Sequence, residues 1–149
     1  MPDLVVIVGP PASGKAAVGT ELAALTGFRF CHNHMTAEAA AALFGWDTDL
    51  YREAATEVRL LLLSKALAQQ GAPSVIVTFM WYFDEDADNL FIAQLVDIAS
   101  RNGGKVYFVE RLASQAARIA REGSPLRVAL KPSKRDVERA RSLHAQTDE

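Results

Sequence analysis

The stretch Gly9-Pro10-Pro11-Ala12-Ser13-Gly14-Lys15 has the residue types and spacing, Gly-x-x-x-x-Gly-Lys, that hold a chain of phosphates. Glycines let successive backbone N–H groups turn inward toward phosphate oxygens. A helix that follows offers its positive end, and the lysine reaches the β/γ-phosphates. This chemistry needs an apolar strand before the loop and a helix after it, and Leu4-Val5-Val6-Ile7-Val8 and the run from Lys15 to Leu25 supply them. A chance Gly-Lys turn would lack that context. The expected phosphate-binding set is therefore Gly9, Pro10, Pro11, Ala12, Ser13, Gly14, Lys15, Ala16 and Ala17. The pattern is broken at one point. A Ser or Thr hydroxyl would ordinarily follow the lysine to sit on Mg²⁺, and here Ala16 and Ala17 follow instead.

A loop of this kind is only as good as the elements that aim it. The chain has 149 residues, half of them apolar and 23% charged, which suits one globular domain with its own core. A net charge of -2 argues against a general nucleic-acid binder. One cysteine, Cys31, excludes an internal disulfide and a Cys-based zinc site and agrees with a reducing cytosol. The N-terminal apolar run is short, follows Asp3 and lacks a basic segment, so it does not read as a secretory signal. Leu60 to Leu63 is far too short to span a bilayer. The expectation is a cytoplasmic protein with no membrane or nucleic-acid partner.

Short β-branched runs alternate with longer runs of helical period, which predicts a parallel sheet covered by helices. Strands are expected at Leu4–Val8, Phe28–Cys31, Ser74–Phe79 and Lys105–Val109. The first helix should bury Val18, Leu22 and Leu25 and end at Gly27. An Ala-rich helix is expected over Thr36–Leu43. A long one over Asp49–Gln70 would put Leu50, Ala54, Val58, Leu61 and Leu62 on its apolar face. Asp84, Glu85 and Asp86 read as capping acids of a helix that buries Phe91, Leu95 and Ile98. A helix near Ser114–Arg121, a Gly/Pro loop over 122–132 and a last helix opening on Ser133-x-x-Asp136 complete the chain, without a further strand.

Nine of the sixteen basic residues fall between Arg111 and Arg141. Arg139 and Arg141 read as a solvated helix face. Arg118, Arg121, Arg127 and Lys131 flank the Gly/Pro loop, which could close as a lid over about 118–134 and neutralise charge during transfer.

With these motifs in place, the chain resembles the small P-loop kinases, the group of shikimate, gluconate and adenylate kinases. It is most similar to uncharacterised shikimate-kinase-like proteins. The resemblance rests on Gly9 to Lys15, then Phe30-x-His32-Asn33-His34-Met35-Thr36, and later Ser124-Pro125-Leu126-Arg127 with Lys131-Pro132-Ser133-Lys134-Arg135-Asp136, and it covers essentially the whole chain. It implies a three-layer α/β fold with a parallel sheet of order 2-3-1-4 and helices on both faces. The group's usual fifth strand, whose loop helps hold adenine, is missing here, so the C-terminus looks truncated. The open sheet edge that results is a place where a second copy could pair.

The resemblance also marks departures. In shikimate and gluconate kinases the second strand ends in Phe-x-Asp-x-Asp, whose acids assist Mg²⁺ and the acceptor hydroxyl; here the matching residues are His32 and His34. On an extended segment, residues two apart face the same way, so both imidazoles could serve one site. A neutral imidazole could take the proton of an acceptor hydroxyl, and a protonated one could attract an anion. Two other readings stand beside this one: polar residues that merely close a strand, and a zinc site for which the spacing offers no third ligand. Cys31 would face the core. Thr78 reads either as a plain strand residue or as a support for Mg²⁺ through water. Trp81, Tyr82 and Phe83 follow the third strand at the edge where ligands of open α/β sheets bind, as acceptor-pocket lining or as core. Asp84 is a candidate substitute for a missing acid.

The expectation that results is an ATP- and Mg²⁺-using kinase of a small hydroxylated or anionic metabolite. Lys15, His34 and Arg127 would be catalytic, Arg118 would join the loop on the nucleotide, and His32, His34, Trp81 and Asp84 would lie on the substrate. The competing expectation is a degenerate kinase that binds nucleotide without transferring phosphate; a nucleic-acid kinase is disfavoured by the acidic balance.

Overall fold

The computed structural model describes residues 1–122 of the chain. Arg127, Lys131, the lid beyond residue 122 and the helix expected from Ser133 lie outside the described residues.

Four strands and five helices alternate in the described chain: β1 (Leu4–Val8), α1 (Lys15–Thr26), β2 (Arg29–Cys31), α2 (Asn33–Phe44), α3 (Asp49–Ala68), β3 (Val75–Phe79), α4 (Asp86–Arg101), β4 (Val106–Glu110) and α5 (Gln115–Arg121). The sheet is parallel throughout and runs β2-β3-β1-β4, so the strand that feeds the phosphate loop is central. Its register sets Val8 against Phe79 on one side and Glu110 on the other. The ends of three strands therefore meet beside the loop.

Every residue of β1 and β3 is buried, as strands covered on both faces require. The period of two divides them between two cores. Leu4, Val6, Val8, Val75, Val77 and Phe79 pack with Leu63 and Leu67 of α3 and with Phe91, Ile92, Leu95 and Ala99 of α4. On the opposite face Val5, Ile7 and Ile76 meet Val18, Leu22 and Ala23 of α1 with Phe28 and Phe30. Gly19 sets how closely α1 can lie on β2, because a Cβ there would meet the Phe30 ring at 2.5 Å.

Several expectations shift. Leu25 is 84% exposed, since α1 has left the sheet by its last turn. In α3 the buried stripe is Ala55, Arg59, Leu63 and Leu67, whereas Leu50, Val58, Leu61 and Leu62 are exposed. The run Leu60 to Leu63 makes several faces of this helix apolar, so packing against β1, β3 and α4 decides which one is buried. The helix near Asp84 is capped by Glu85 without a side-chain cap bond. The acids that act are further along. Asp86 and Asp88 face the positive end of α4, and Asp88 Oδ2 accepts from the Tyr82 backbone N–H at 2.9 Å. β4 is mostly exposed at the border of the described sheet, with Tyr107 and Phe108 about half exposed. No helix among the described residues is long and apolar enough to cross a membrane.

Candidate functional site

Between β1 and α1 the backbone takes conformations that phosphate loops need. Gly9, Ala12 and Gly14 all have positive φ, at 152°, 56° and 94°. At Gly9 the requirement is also steric: a Cβ would run into the Arg111 carbonyl and lie 2.8 Å from Ser13 Oγ. Ala12 holds a left-handed conformation that costs an L-residue about 1 kcal/mol or more, strain of a kind concentrated at ligand clamps. α1 then starts at Lys15 with no side-chain cap bond and no acid in its first turn, which leaves its N-terminal field to an anion.

Two side chains inside the loop fit the same purpose. Ser13 is fully buried, and its hydroxyl has no hydrogen-bond partner among the described residues. Such an orphan costs about 1–3 kcal/mol unless a ligand satisfies it. Lys15 is 8% exposed, and its ammonium donates to the carbonyls of Gly9 and Pro10, each at 2.7 Å. The charge is thus parked on the loop it would leave to meet a phosphate.

Arginines approach this loop from the end of β4 and from α5. Arg121 Nη1 donates to the Ala12 carbonyl at 2.8 Å, and a Cβ on Gly14 would lie 3.6 Å from Arg111 and 3.9 Å from Arg121. The Arg111 backbone N–H donates to the Val8 carbonyl, which ties the end of β4 to the end of β1. Arg118 is buried on α5. Arg121 was among the basic residues expected near the phosphates, whereas Arg111 was not singled out; the legible signal was its position directly after the fourth strand.

On the other side of β1 the segment between β2 and α2 departs from expectation. The extended chain ends at His32, which caps α2, and His34 lies in the first helical turn. The alternation that would have turned both imidazoles one way therefore does not apply. His32 is buried with its ring 5.9 Å from Phe30. His34 has its ring 6.3 Å from Trp46 and its Nδ1 3.7 Å from the Glu38 carboxylate. Cys31 packs against the larger core, and burial raises its thiol pKa. Among the described residues no three His, Cys, Asp or Glu are grouped to hold a metal.

Thr78, buried near the end of β3, accepts the Asn33 N–H on its hydroxyl at 2.9 Å and so ties β3 to the β2–α2 turn. Next to that turn Thr36 Oγ1 donates to the Asn33 carbonyl at 3.3 Å and accepts from Arg59 Nη2 at 3.2 Å. Arg59 is 8% exposed, stands 5.2 Å over the Phe91 ring, and forms no ion pair among the described residues. Burial pushes its pKa down to about 10, against the opposing influence of Tyr51, Cys31 and Asp88. A cation buried without a paired carboxylate is costly, which makes Arg59 the most informative residue that sequence reasoning missed. Its signal was a charged residue on the stripe Ala55-Arg59-Leu63-Leu67, hidden because another face of α3 was expected to be buried.

Trp81 lies beside the loop. It shares a cavity of about 180 Å³ with Gly9, Pro10, Met80, Tyr82, Phe83 and Glu110. Asp84 is exposed in the turn before α4, outside that lining.

No family model and no curated protein matches this sequence. Solved structures do match it. A protein from Chloroflexus aurantiacus put forward as a kinase is 22% identical, with a TM-score of 0.62 over 95% of this chain and 75% of its own. A gluconokinase from Sinorhizobium meliloti is 21% identical, with a TM-score of 0.54 over 91% and 74%. Shikimate kinase from Acinetobacter baumannii, solved with shikimate, is 20% identical, with a TM-score of 0.54 over 99% and 80%. With its four-stranded parallel sheet and Gly9–Lys15 loop, the chain has the fold of the small P-loop kinases.

Proposed function

We propose that this chain is an ATP-dependent kinase of a small hydroxylated metabolite. The observation that carries the proposal is the loop itself: three positive-φ residues, an uncapped helix start, the Ser13 hydroxyl without a partner among the described residues and the stored Lys15 ammonium all belong to the seven-residue stretch Gly9 to Lys15. The backbone of Gly9 to Ala17 would hold the β/γ-phosphates, and Lys15 would leave the Gly9 and Pro10 carbonyls to neutralise the transferred group. Arg111 and Arg121 stand where they could add charge from the β4 side, and Arg118 and Arg127 would be further basic residues of the expected lid. Mg²⁺, when bound, would screen phosphate charge. With Ala16 and Ala17 in place of a hydroxyl, it would rest on phosphates and water, with Thr78 the nearest candidate for water-mediated support. Transfer of this kind asks chiefly for positioning and charge neutralisation.

The acceptor side carries the positive charge of Arg59, which favours an acceptor bearing a carboxylate or phosphate as well as its hydroxyl. His34 would position that hydroxyl, with His32 and Trp81 as further pocket residues; Asp84 is the weakest member of this set. The reading places the protein in the cytoplasm with ATP. One second reading has specific support: the missing loop hydroxyl and the imidazoles in place of acids fit a kinase that retains nucleotide binding and has lost transfer.

ADP release with Mg²⁺ over a panel of sugars, polyols and hydroxy acids separates these readings, with Lys15→Ala as control. Turnover with one acceptor, lost in the variant, is expected. Saturable ATP binding without turnover for any acceptor selects the second reading, and absence of ATP binding removes both.

A further inference from the structure

One face of α3 packs inward through Ala55, Arg59, Leu63 and Leu67. The opposite face should be polar, because a surface helix turns its apolar stripe to the core and its charged residues to water. It is not. Leu50 and Leu61 are each more than half exposed there. Ala54, Leu61 and Ala68 are seven residues apart, so they fall nearly in line along the helix, and Leu50 lies on the same line one turn before Ala54. Single exposed leucines are ordinary. An aligned apolar row over most of a 20-residue helix has the form of a helix-packing seam.

The charges beside the seam say what would pair with it. Glu57 stands one turn before Leu61 and Lys65 one turn after it; both are exposed, and neither forms an ion pair among the described residues. In two copies of α3 laid antiparallel about a two-fold axis at Leu61, each residue faces the one equally far on the other side of Leu61. Leu61 then meets its own copy, and Glu57 meets Lys65 of the partner subunit. Ala54 meets Ala68 of the partner subunit, and these small residues let the two helices approach closely. A parallel pair would set Glu57 on Glu57 and Lys65 on Lys65. A slip of one turn would set Leu61 against Glu57 or Lys65. Opposite charges placed symmetrically about an apolar centre give the self-complementarity that a two-fold interface requires.

We propose that the outer face of α3 is a pairing surface for a second copy of this chain, joined antiparallel about Leu61. The proposal is independent of the kinase reading, and the seam lies on the side of α3 away from Arg59. A single helix-on-helix seam is at the small end of specific interfaces, so the dimer is a weak and reversible one.

Sedimentation of the full chain without nucleotide, over a series of protein concentrations, tests this. A reversible monomer–dimer equilibrium is expected for the parent and for Leu62→Gln, whose position lies off the seam. Leu61→Arg should abolish the dimer while keeping the fold by circular dichroism, since the position is exposed. Glu57→Lys and Lys65→Glu should each weaken dimerisation roughly tenfold, because two attractive pairs per dimer become two repulsive ones. The two substitutions together should restore it to within about twofold of the parent. A parent that is monomeric at every concentration would assign the face to another partner and overturn the proposal. So would a dimer unaffected by Leu61→Arg, or a double variant no tighter than the single ones. If Leu61→Arg does not fold, the charge series decides alone.

Discussion

On the proposed reading, the two sides of β1 would reach a ligand by different means. On the α1 side, recognition is built from backbone: φ values at Gly9, Ala12 and Gly14, a helix start and the carbonyls that store Lys15. Toward β2 and α3 it is built from side chains, with Thr78, Thr36 and the buried Arg59 joined across three elements. A backbone site tolerates almost no change in shape and reads only phosphate. A side-chain site can be rebuilt residue by residue, which is the history the proposed reading would give the imidazoles at His32 and His34.

That contrast breaks if the loop accepts a side chain where its backbone has no room. Gly9→Ala should cost about 2–5 kcal/mol, because the new methyl group meets the Arg111 carbonyl and Ser13 Oγ and the residue must keep a positive φ. Urea denaturation would measure this, with ATP binding lost in parallel. A variant of native stability that still bound ATP would show that the loop is not shaped by close packing.

Lys15→Ala tests the same side without disturbing its shape. The ammonium makes contacts that the loop can lose without collapsing, so the melting temperature should move little while kcat falls about 10²- to 10³-fold. Unfolding of this variant would recast Lys15 as a structural clamp.

Arg59→Met carries the comparison to the other side. The guanidinium forms no ion pair among the described residues, so an apolar replacement of similar length should leave stability unchanged or raise it. The KM of an anionic acceptor should rise roughly tenfold, with kcat less affected, as expected when a charge-assisted hydrogen bond is removed. The pH dependence follows from the direction of its shift. With a folded pKa pushed down from 12.5 to about 10, the guanidinium is charged at neutral pH. Anion affinity owed to it should therefore be flat through neutrality and fall only as pH rises through about 10. Destabilisation of Arg59→Met with an unaltered KM would mean that the charge serves the core.

The same division explains what could be read from residues alone. Gly9 to Lys15 was legible because its chemistry depends on local spacing, and β1, β3 and the alternation of strands and helices were legible because their apolar runs have clear lengths and ends. Arg59 was not, because Leu60 to Leu63 obscure which side of α3 is buried. The paired imidazoles were misjudged for a different physical reason. α2 begins at Asn33 once Thr78 accepts its N–H, and a contact between residues 45 apart in sequence leaves no local signal. Arg111 reaches the loop for a similar reason, through parallel pairing of β1 with β4.

Thr78→Val measures that long-range contact directly. The isosteric change removes the acceptor and leaves the Asn33 N–H without its partner, at about 1–2 kcal/mol in urea denaturation. Its effect should concentrate on the acceptor side, raising acceptor KM while ATP affinity stays within about twofold of the parent, a change near 0.4 kcal/mol. Equal losses on both sides would mean that β3 transmits the disturbance and that the two sites are not independent.

Leu62→Gln should have the smallest effect and bears on how Arg59 comes to be buried. Leu62 is half exposed, one residue from Leu63, which is 3% exposed. If α3 turns Ala55, Arg59, Leu63 and Leu67 to the sheet, a polar side chain at 62 should change stability by less than about 0.5 kcal/mol. A loss of 2 kcal/mol or more would put Leu62 in the core. Since residues three apart in a helix lie only about 60° apart around its axis, a core position at 62 would widen the buried stripe beside Arg59, whose bond to Thr36 and contact with Phe91 would stay in place.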